Sequence, residues 1–153
     1  MPKAQTSAGL LLYRRGAAGL EVLLVHPGGP FFARKDDGAW SIPKGLLDAD
    51  EEPLVAARRE FAEETGHRAP DGAAIDLGDV RLRSGKRVLG FAVEGDLDAA
   101  TIVSNTFEMV WPPRSGQTRE FPEVDRAQWF SLNEARVKLN PAQAAFVDRL
   151  AES

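Results

Sequence analysis

Three glutamates, Glu60, Glu63 and Glu64, stand three and four positions apart in a segment of helical character, so their carboxylates project from one side of it. Like charges at that spacing repel by roughly 0.2–0.5 kcal/mol per pair, and a helix that merely meets solvent separates or pairs them. Hard, oxygen-seeking divalent cations compensate such repulsion, and magnesium in particular is shared between a few carboxylates, waters and substrate phosphates. The bland alternative is an ordinary acidic helix face. Arg59 adjoins the set and can pair with Glu51, Glu60 or Glu63, holding a carboxylate in place rather than reaching a substrate. Cysteine is absent and His26 and His67 are the only histidines, which excludes a thiolate nucleophile, a thiolate zinc site or a disulfide, and disfavours an imidazole-rich metal site.

The elements that must position these residues follow from pattern. A helix is expected from about Glu52 to Thr65: Pro53 suits its first turn, Leu54, Ala57 and Phe61 share a face next to the acidic one, and Gly66 supplies a stop. Upstream, Ser7 to Tyr13 and Glu21 to Val25 read as strands joined by a turn through residues 14–19. The segment from Pro27 to Ala39, rich in glycine, proline and charge, is a long loop, and such loops inside small domains are more often functional than idle. Downstream, Val80 to Arg83 and Arg87 to Val93 flank a hairpin turn at Ser84-Gly85-Lys86. Phe107 to Trp111 and Gln128 to Leu132 are further strands, Ser131 or Asn133 opens a short helix to Val137, and Pro141 starts a last one over Ala142 to Ala151. Mixed strands with a central and a terminal helix imply a helix-sheet-helix sandwich in one domain over 1–153.

The stretch from Gly45 to His67 resembles the Nudix box, G-x5-E-x7-R-E-U-x-E-E-x-G-U, with U a bulky apolar residue. Gly45, Glu51, Arg59, Glu60, Glu63, Glu64 and Gly66 occupy its charged and glycine positions, and Phe61 its first U; His67 departs at the second. The Trp40-Ser41-Ile42-Pro43-Lys44 lead-in and the later stretch ending in Trp129-Phe130 also sit where the family has counterparts. The resemblance implies an α/β fold, the Nudix α/β/α sandwich with a mixed β-sheet. It implies that the Gly45 carbonyl and Glu60, Glu63 and Glu64 hold Mg2+, with Mn2+ as a substitute, and that Glu51 and Arg59 form a supporting shell that orients them. The implied chemistry is hydrolysis of a diphosphate bond, with Arg59 and Glu64 in the catalytic machinery and a general base from a loop outside the box. Glu120 and Glu123 are the candidates. Pro122 breaks regular pairing there, which favours Glu123 in a loop over Glu120.

Lys44 meets a phosphate or merely flanks a turn; Phe31, Phe32 and Arg34 in the long loop are candidates for stacking on a base and pairing with a phosphate. Trp40 and Trp111 read as packing residues, His26 as a strand end, and Gln143 as a helix-surface residue that could at most read a base edge. Arg81, Arg83, Lys86 and Arg87 form a basic cluster that could meet a small polyphosphate or simply solvate a hairpin face.

A net charge of -4 argues against an extended nucleic-acid partner, whose phosphates need a basic face. No apolar run approaches a membrane span and Met1 to Gln5 lacks the apolar stretch of a signal peptide, so a cytoplasmic enzyme acting on a small nucleotide or polyphosphate is expected, with no membrane partner. A nucleoside diphosphate linked to another moiety, such as a dinucleoside polyphosphate, is the favoured substrate. A nucleoside triphosphate pyrophosphohydrolase and a catalytically silent ligand-binding module are the alternatives, the latter disfavoured because all four box glutamates are present.

Overall fold

The computed structural model describes residues 5–153; Met1 to Ala4, most of the stretch read as lacking a signal peptide, lie outside the described residues. Strands β1 (Thr6–Gly16) and β2 (Gly19–Pro27) form an antiparallel hairpin. Both extend beyond their apolar cores. Arg14 and Arg15, which look like turn residues, continue the ladder because Arg14 lies opposite Glu21, pairs with it at 2.8 Å and stacks 4.0 Å over the Trp129 ring. Charge pairing across the strands therefore takes over where apolar alternation ends.

The sheet continues through β3 (Lys44–Leu46), β4 (Ala74–Arg81), β5 (Arg87–Glu94) and β8 (Val124–Ser131), in the order β4-β5-β1-β2-β8 with β3 beside β1. β1 and β5 run parallel and the other pairs antiparallel, so the sheet is mixed. Strands β6 (Thr106–Val110) and β7 (Thr118–Pro122) form a separate two-stranded ribbon. β7 carries no alternating apolar signal, because most of its residues face solvent.

Alternate residues of β1 feed opposite layers. Ala8, Leu10 and Leu12 pack with Leu23 and Val93 under helix α1 (Pro53–Thr65), whose Ala56, Ala57 and Phe61 are fully buried. Leu11 joins Val22, Leu24, Trp40 and Phe130 beneath helices α2 (Leu132–Lys138) and α3 (Ala144–Glu152), which contribute Ala135, Phe146, Val147 and Leu150. The result is the expected α/β/α sandwich. Burying a side chain the size of Phe61 contributes about 3 kcal/mol, enough to fix the rotation of α1 on the sheet. α2 starts at Ser131, which forms a capping box with Glu134. No helix of the described residues is long and apolar enough to cross a membrane.

One feature of the sheet positions the site. β1 pairs with β2 from Tyr13 onward, but nearer its start the same edge is taken by β3, with Gly9 opposite Lys44 and Ser7 opposite Leu46. The two long strands splay, and residues 41–46 wedge between them. Val25 and Ser41 exchange backbone hydrogen bonds of 2.9 and 3.0 Å, and the Leu10 N–H donates to the Pro43 carbonyl at 3.0 Å. A Cβ at Gly9 would stand 2.6 Å from Ile42 Cδ1 and 2.8 Å from Lys44 Cβ, so the wedge seats only against glycine. Lys44 and Gly45 are thereby anchored in the sheet rather than carried on a loose turn.

Candidate active site

Because α1 buries Phe61 and Ala57 against the sheet, the neighbouring stripe of Glu60, Glu63 and Glu64 turns toward the β3 edge. There, with Lys44, Gly45, Asp48, Arg59, Asn105 and Glu123, they line a depression of about 470 Å³. The Glu60 carboxylate lies so close over Gly45 that a Cβ at that position would collide with it. This is a local reason for glycine at the head of the segment.

Arg59 organises the acidic cluster. Its Nε and Nη2 donate to the two Glu51 carboxylate oxygens at 3.0 Å each, Nη1 donates to Glu60 at 2.9 Å and Glu63 at 3.3 Å, and Nη2 also donates to the Leu46 carbonyl at 3.1 Å. Hydrogen bonds from Arg59 and from the Asp48 N–H hold the Glu51 carboxyl below the usual range. The hydrogen bonds to Glu51 first, and then to Glu60 and Glu63, push the Arg59 guanidinium further up. Glu51 and Arg59 thus form an ion-paired brace between the turn before α1 and its second turn.

Glu60 and Glu64 behave in the opposite sense. Burial, and after it the Glu63 charge, raises the Glu60 carboxyl above the ordinary range despite Arg59. Burial raises Glu64 further, to about 8, with Glu60 and Glu123 adding repulsion and the Lys44 ammonium opposing it. Lys44, whose N–H donates to Glu64 at 3.3 Å, is itself pushed down by burial and by Lys86. Burial therefore drives both partners toward their neutral forms, and the single lysine does not offset the crowded carboxylates. Among the described residues no three histidine, aspartate or glutamate side chains already stand as close as a finished metal cage. The donor set, all hard oxygen and short of positive charge, suits a magnesium-like cation.

A second pocket, about 290 Å³, opens on the other side of Lys44, Glu64 and Glu123, which border both spaces. Val25, Pro27, Phe32, Trp40, Leu82 and Val124 give it apolar walls, and Ser41, Asn140 and Gln143 add polar groups. A charged trough joined to a largely apolar pocket fits a molecule with a phosphate chain at one end and a ring at the other.

The site residues expected from sequence fall into two groups. Gly45, Arg59, Glu60, Glu63, Glu64, Lys44 and Glu123 meet at the trough, Phe32 lines the adjoining pocket, and Glu51 braces Arg59. Glu120 lies in β7 opposite Glu108 and borders neither space. Glu123 occupies the single unpaired position between β7 and β8, its N–H donating to the Asn105 carbonyl and its carbonyl accepting from the Gly28 N–H, both at 2.9 Å. Phe31, 61% exposed, packs edge-on against Trp111 at 5.7 Å, and exposed Arg34 lines neither space.

Other residues depart from their sequence reading. Gln143 is buried, not a helix-surface residue: its Oε1 accepts from the Ile42 N–H at 2.9 Å and its Nε2 donates to Ser41 Oγ at 3.0 Å, fastening the wedge from behind. Its spacing of three and seven from Phe146 and Leu150, which places it on the buried stripe, was the available signal. His26 lies one residue before the end of β2, and its buried ring also lies between Asp125, 2.9 Å away, and the Lys35 carbonyl, 2.6 Å away, tying the 27–39 loop to β8. His67 hydrogen-bonds Thr101 Oγ1 at 2.8 Å beyond the end of α1, away from the carboxylates. Trp40 is a packing residue as expected, edge-on to His26 and Phe130.

The family described as the NUDIX domain matches residues 3–150. An 8-oxo-(d)GTP phosphatase of Mycolicibacterium smegmatis is 33% identical over 117 residues, covering 70% of this chain and 34% of that protein. An RNA pyrophosphohydrolase of Mesorhizobium japonicum is 38% identical over 104 residues, covering 59% of this chain and 55% of that protein. The chain thus spans about a third to just over half the length of these relatives. Among solved structures, the binary complex of a Caenorhabditis elegans Ap4A hydrolase superposes with a TM-score of 0.64 at 19% identity, covering 95% of this chain and 96% of that one; this likeness concerns the fold.

Proposed function

Since the chain belongs to the Nudix family, we propose that it is a metal-dependent hydrolase that cleaves a diphosphate bond in a nucleoside diphosphate linked to another moiety, with dinucleoside polyphosphates as favoured substrates. The observation that carries this reading is the acidic trough joined, across Lys44, Glu64 and Glu123, to a pocket with apolar walls. Glu60, Glu63, Glu64 and the Gly45 carbonyl are the ligand set for Mg2+, or Mn2+ in its place. When bound, the cation supplies charge neutralisation of the diphosphate and lowers the pKa of a neighbouring water. The brace formed by Glu51 and Arg59 keeps Glu60 and Glu63 oriented, the kind of support on which metal affinity depends.

Glu123, at the junction of the two spaces, takes the proton of the attacking water. The new bond joins that oxygen to phosphorus as the bridging P–O bond breaks, and the bridging oxygen leaves on the other phosphate. Lys44 pairs with the chain of phosphates next to this centre. We place the activity in the cytoplasm.

A panel of dinucleoside polyphosphates, nucleoside triphosphates, ADP-ribose and RNA with a 5′-triphosphate, incubated with magnesium and resolved by chromatography, tests the reading. Two nucleotide products, each ending in a free terminal phosphate, are expected from the dinucleoside polyphosphates. Failure to cleave any of the panel rejects the hydrolase. Fastest release of pyrophosphate from triphosphates would instead favour the nucleotide-sanitising reading, which the likeness to an 8-oxo-(d)GTP phosphatase supports.

Phe32 borders the pocket and stands under Lys35, whose Nζ lies 5.4 Å from its ring. Stacking on a base contributes about 1–3 kcal/mol, so Phe32→Ala is expected to raise KM roughly tenfold with a smaller change in kcat. Phe31→Ala and Arg34→Ala should have weaker effects, since neither side chain borders the pocket. Unchanged kinetics in the triple alanine variant would make the loop a structural element only.

A further inference from the structure

The last turn of a helix leaves carbonyls without partners inside it. At the end of α1 the His67 N–H turns to Thr65 Oγ1 at 3.1 Å, and the freed Glu63 carbonyl accepts from the Asn105 N–H at 2.9 Å. The Thr65 carbonyl accepts from the Val103 N–H, also at 2.9 Å. Residues 103–105 are thereby docked across the end of the helix that carries the carboxylates. A Cβ at Gly66 would stand 2.7 Å from the Val103 carbonyl oxygen, so this close approach needs the glycine that ends α1. The same segment then reaches Glu123, whose N–H donates to the Asn105 carbonyl at 2.9 Å.

The residue after Glu123 is harder to hold. Val124 is buried, and buried peptide groups need partners. Its neighbour across the ladder in β2 is Pro27, which has no N–H to give, and the register shifts at that step. Ser104 supplies a side chain in place of the missing strand partner. Its Oγ accepts from the Val124 N–H at 3.1 Å, and its own proton lies within reach of the Val124 carbonyl at 3.1 Å and of the Asn105 carbonyl at 2.8 Å, the carbonyl that also holds the Glu123 N–H. The peptide joining Glu123 to Val124 is thus gripped at both ends, its carbonyl by the Gly28 N–H and its N–H by Ser104. Ser104 itself borders neither the trough nor the pocket, so its influence on a bound molecule passes through residue 123.

We propose that Ser104 is a positioning residue for Glu123: its hydroxyl fixes the Glu123–Val124 peptide against residues 103–105, and so sets where the Glu123 carboxylate stands relative to the carboxylates of α1. This rests on the reading of Glu123 as general base. A serine that only fills a turn can be replaced without loss of turnover. One that aims the base is felt in kcat, and only while the base is present.

The test measures kcat and KM on the best nucleotide of the panel, with magnesium, for Ser104→Ala and Ser104→Cys, each alone and combined with Glu123→Gln. Cysteine keeps the size of the side chain but is a weak donor and acceptor, so it makes the same comparison should alanine disturb folding. Misplacement of a reacting group by about 1 Å can cost roughly 100-fold, so either variant alone should lower kcat by about 10- to 100-fold with KM within about twofold. In the Glu123→Gln background the same substitutions should change kcat by less than about twofold, because no base is left to aim. Amide hydrogen exchange should be faster at Val124 in both single variants and unchanged in the core strands. Equal losses with and without Glu123, or a wild-type kcat in both single variants, overturn the positioning role and leave the hydrolase standing. A wild-type kcat for Glu123→Gln alone removes the base and this proposal with it. Unchanged exchange at Val124 overturns the clamp whatever the activity, and absence of cleavage across the panel overturns the hydrolase reading whatever the exchange.

Discussion

Glu64→Gln is expected to lower turnover on the best substrate by roughly 1,000-fold, since changes one shell further out from a metal already cost about 10–100-fold. The same substitution should leave thermal stability intact or raise it. In the free protein Glu64 is pushed up to about 8 by burial, with Glu60 and Glu123 adding to the repulsion. A neutral amide of the same shape removes that repulsion and can keep the 3.3 Å contact with the Lys44 N–H through its carbonyl oxygen. Activity and stability then move in opposite directions, the mark of a group kept for chemistry rather than folding. Glu63→Gln should show the same loss of turnover with little stability change, because Glu63 makes only long contacts of 3.3 and 3.4 Å with Arg59. Steady-state kinetics with a thermal melt of each variant is the check; near-normal rates for both would remove these residues from the ligand set.

The second large effect concerns Glu123. Loss of a general base typically costs about 100- to 10,000-fold, so Glu123→Gln should lower kcat within that range while KM changes little. Backbone bonds to Asn105 and Gly28 hold residue 123 in place whatever its side chain, so the effect should be chemical rather than structural. Glu120→Gln, in an exposed ribbon strand outside both spaces, should stay near the wild-type rate. In a pH–rate profile the acidic limb should vanish with Glu123→Gln and persist with Glu120→Gln. The opposite pattern would transfer the role to Glu120.

The parts of this arrangement that the sequence made legible are local ones. Pro53 and Gly66 bracket α1, and the three-and-four spacing of Glu60, Glu63 and Glu64 aims them together whatever α1 packs against. The break at Pro122 likewise anticipates an unpaired Glu123, because the residue before a proline and the missing N–H restrict the chain locally. What remained hidden depends on partners far along the chain. The wedge of residues 41–46 exists because β1 and β2 splay, and neither strand's alternation announces where pairing stops. Gln143 fastens Ile42 from 101 positions away, so its burial follows from tertiary contact that its polarity conceals. The β4–β5 cluster reads as four equivalent cations; only the fold pairs Arg87 with Asp79, eight positions away.

The most direct measurement of the central claim is the rate of diphosphate hydrolysis as a chelator is titrated against the protein and magnesium or manganese is then restored. Crowded hard carboxylates with one half-buried lysine predict that cleavage falls to the uncatalysed level in excess chelator and returns with either cation. Full activity in excess chelator would contradict the metal-dependent mechanism at its centre.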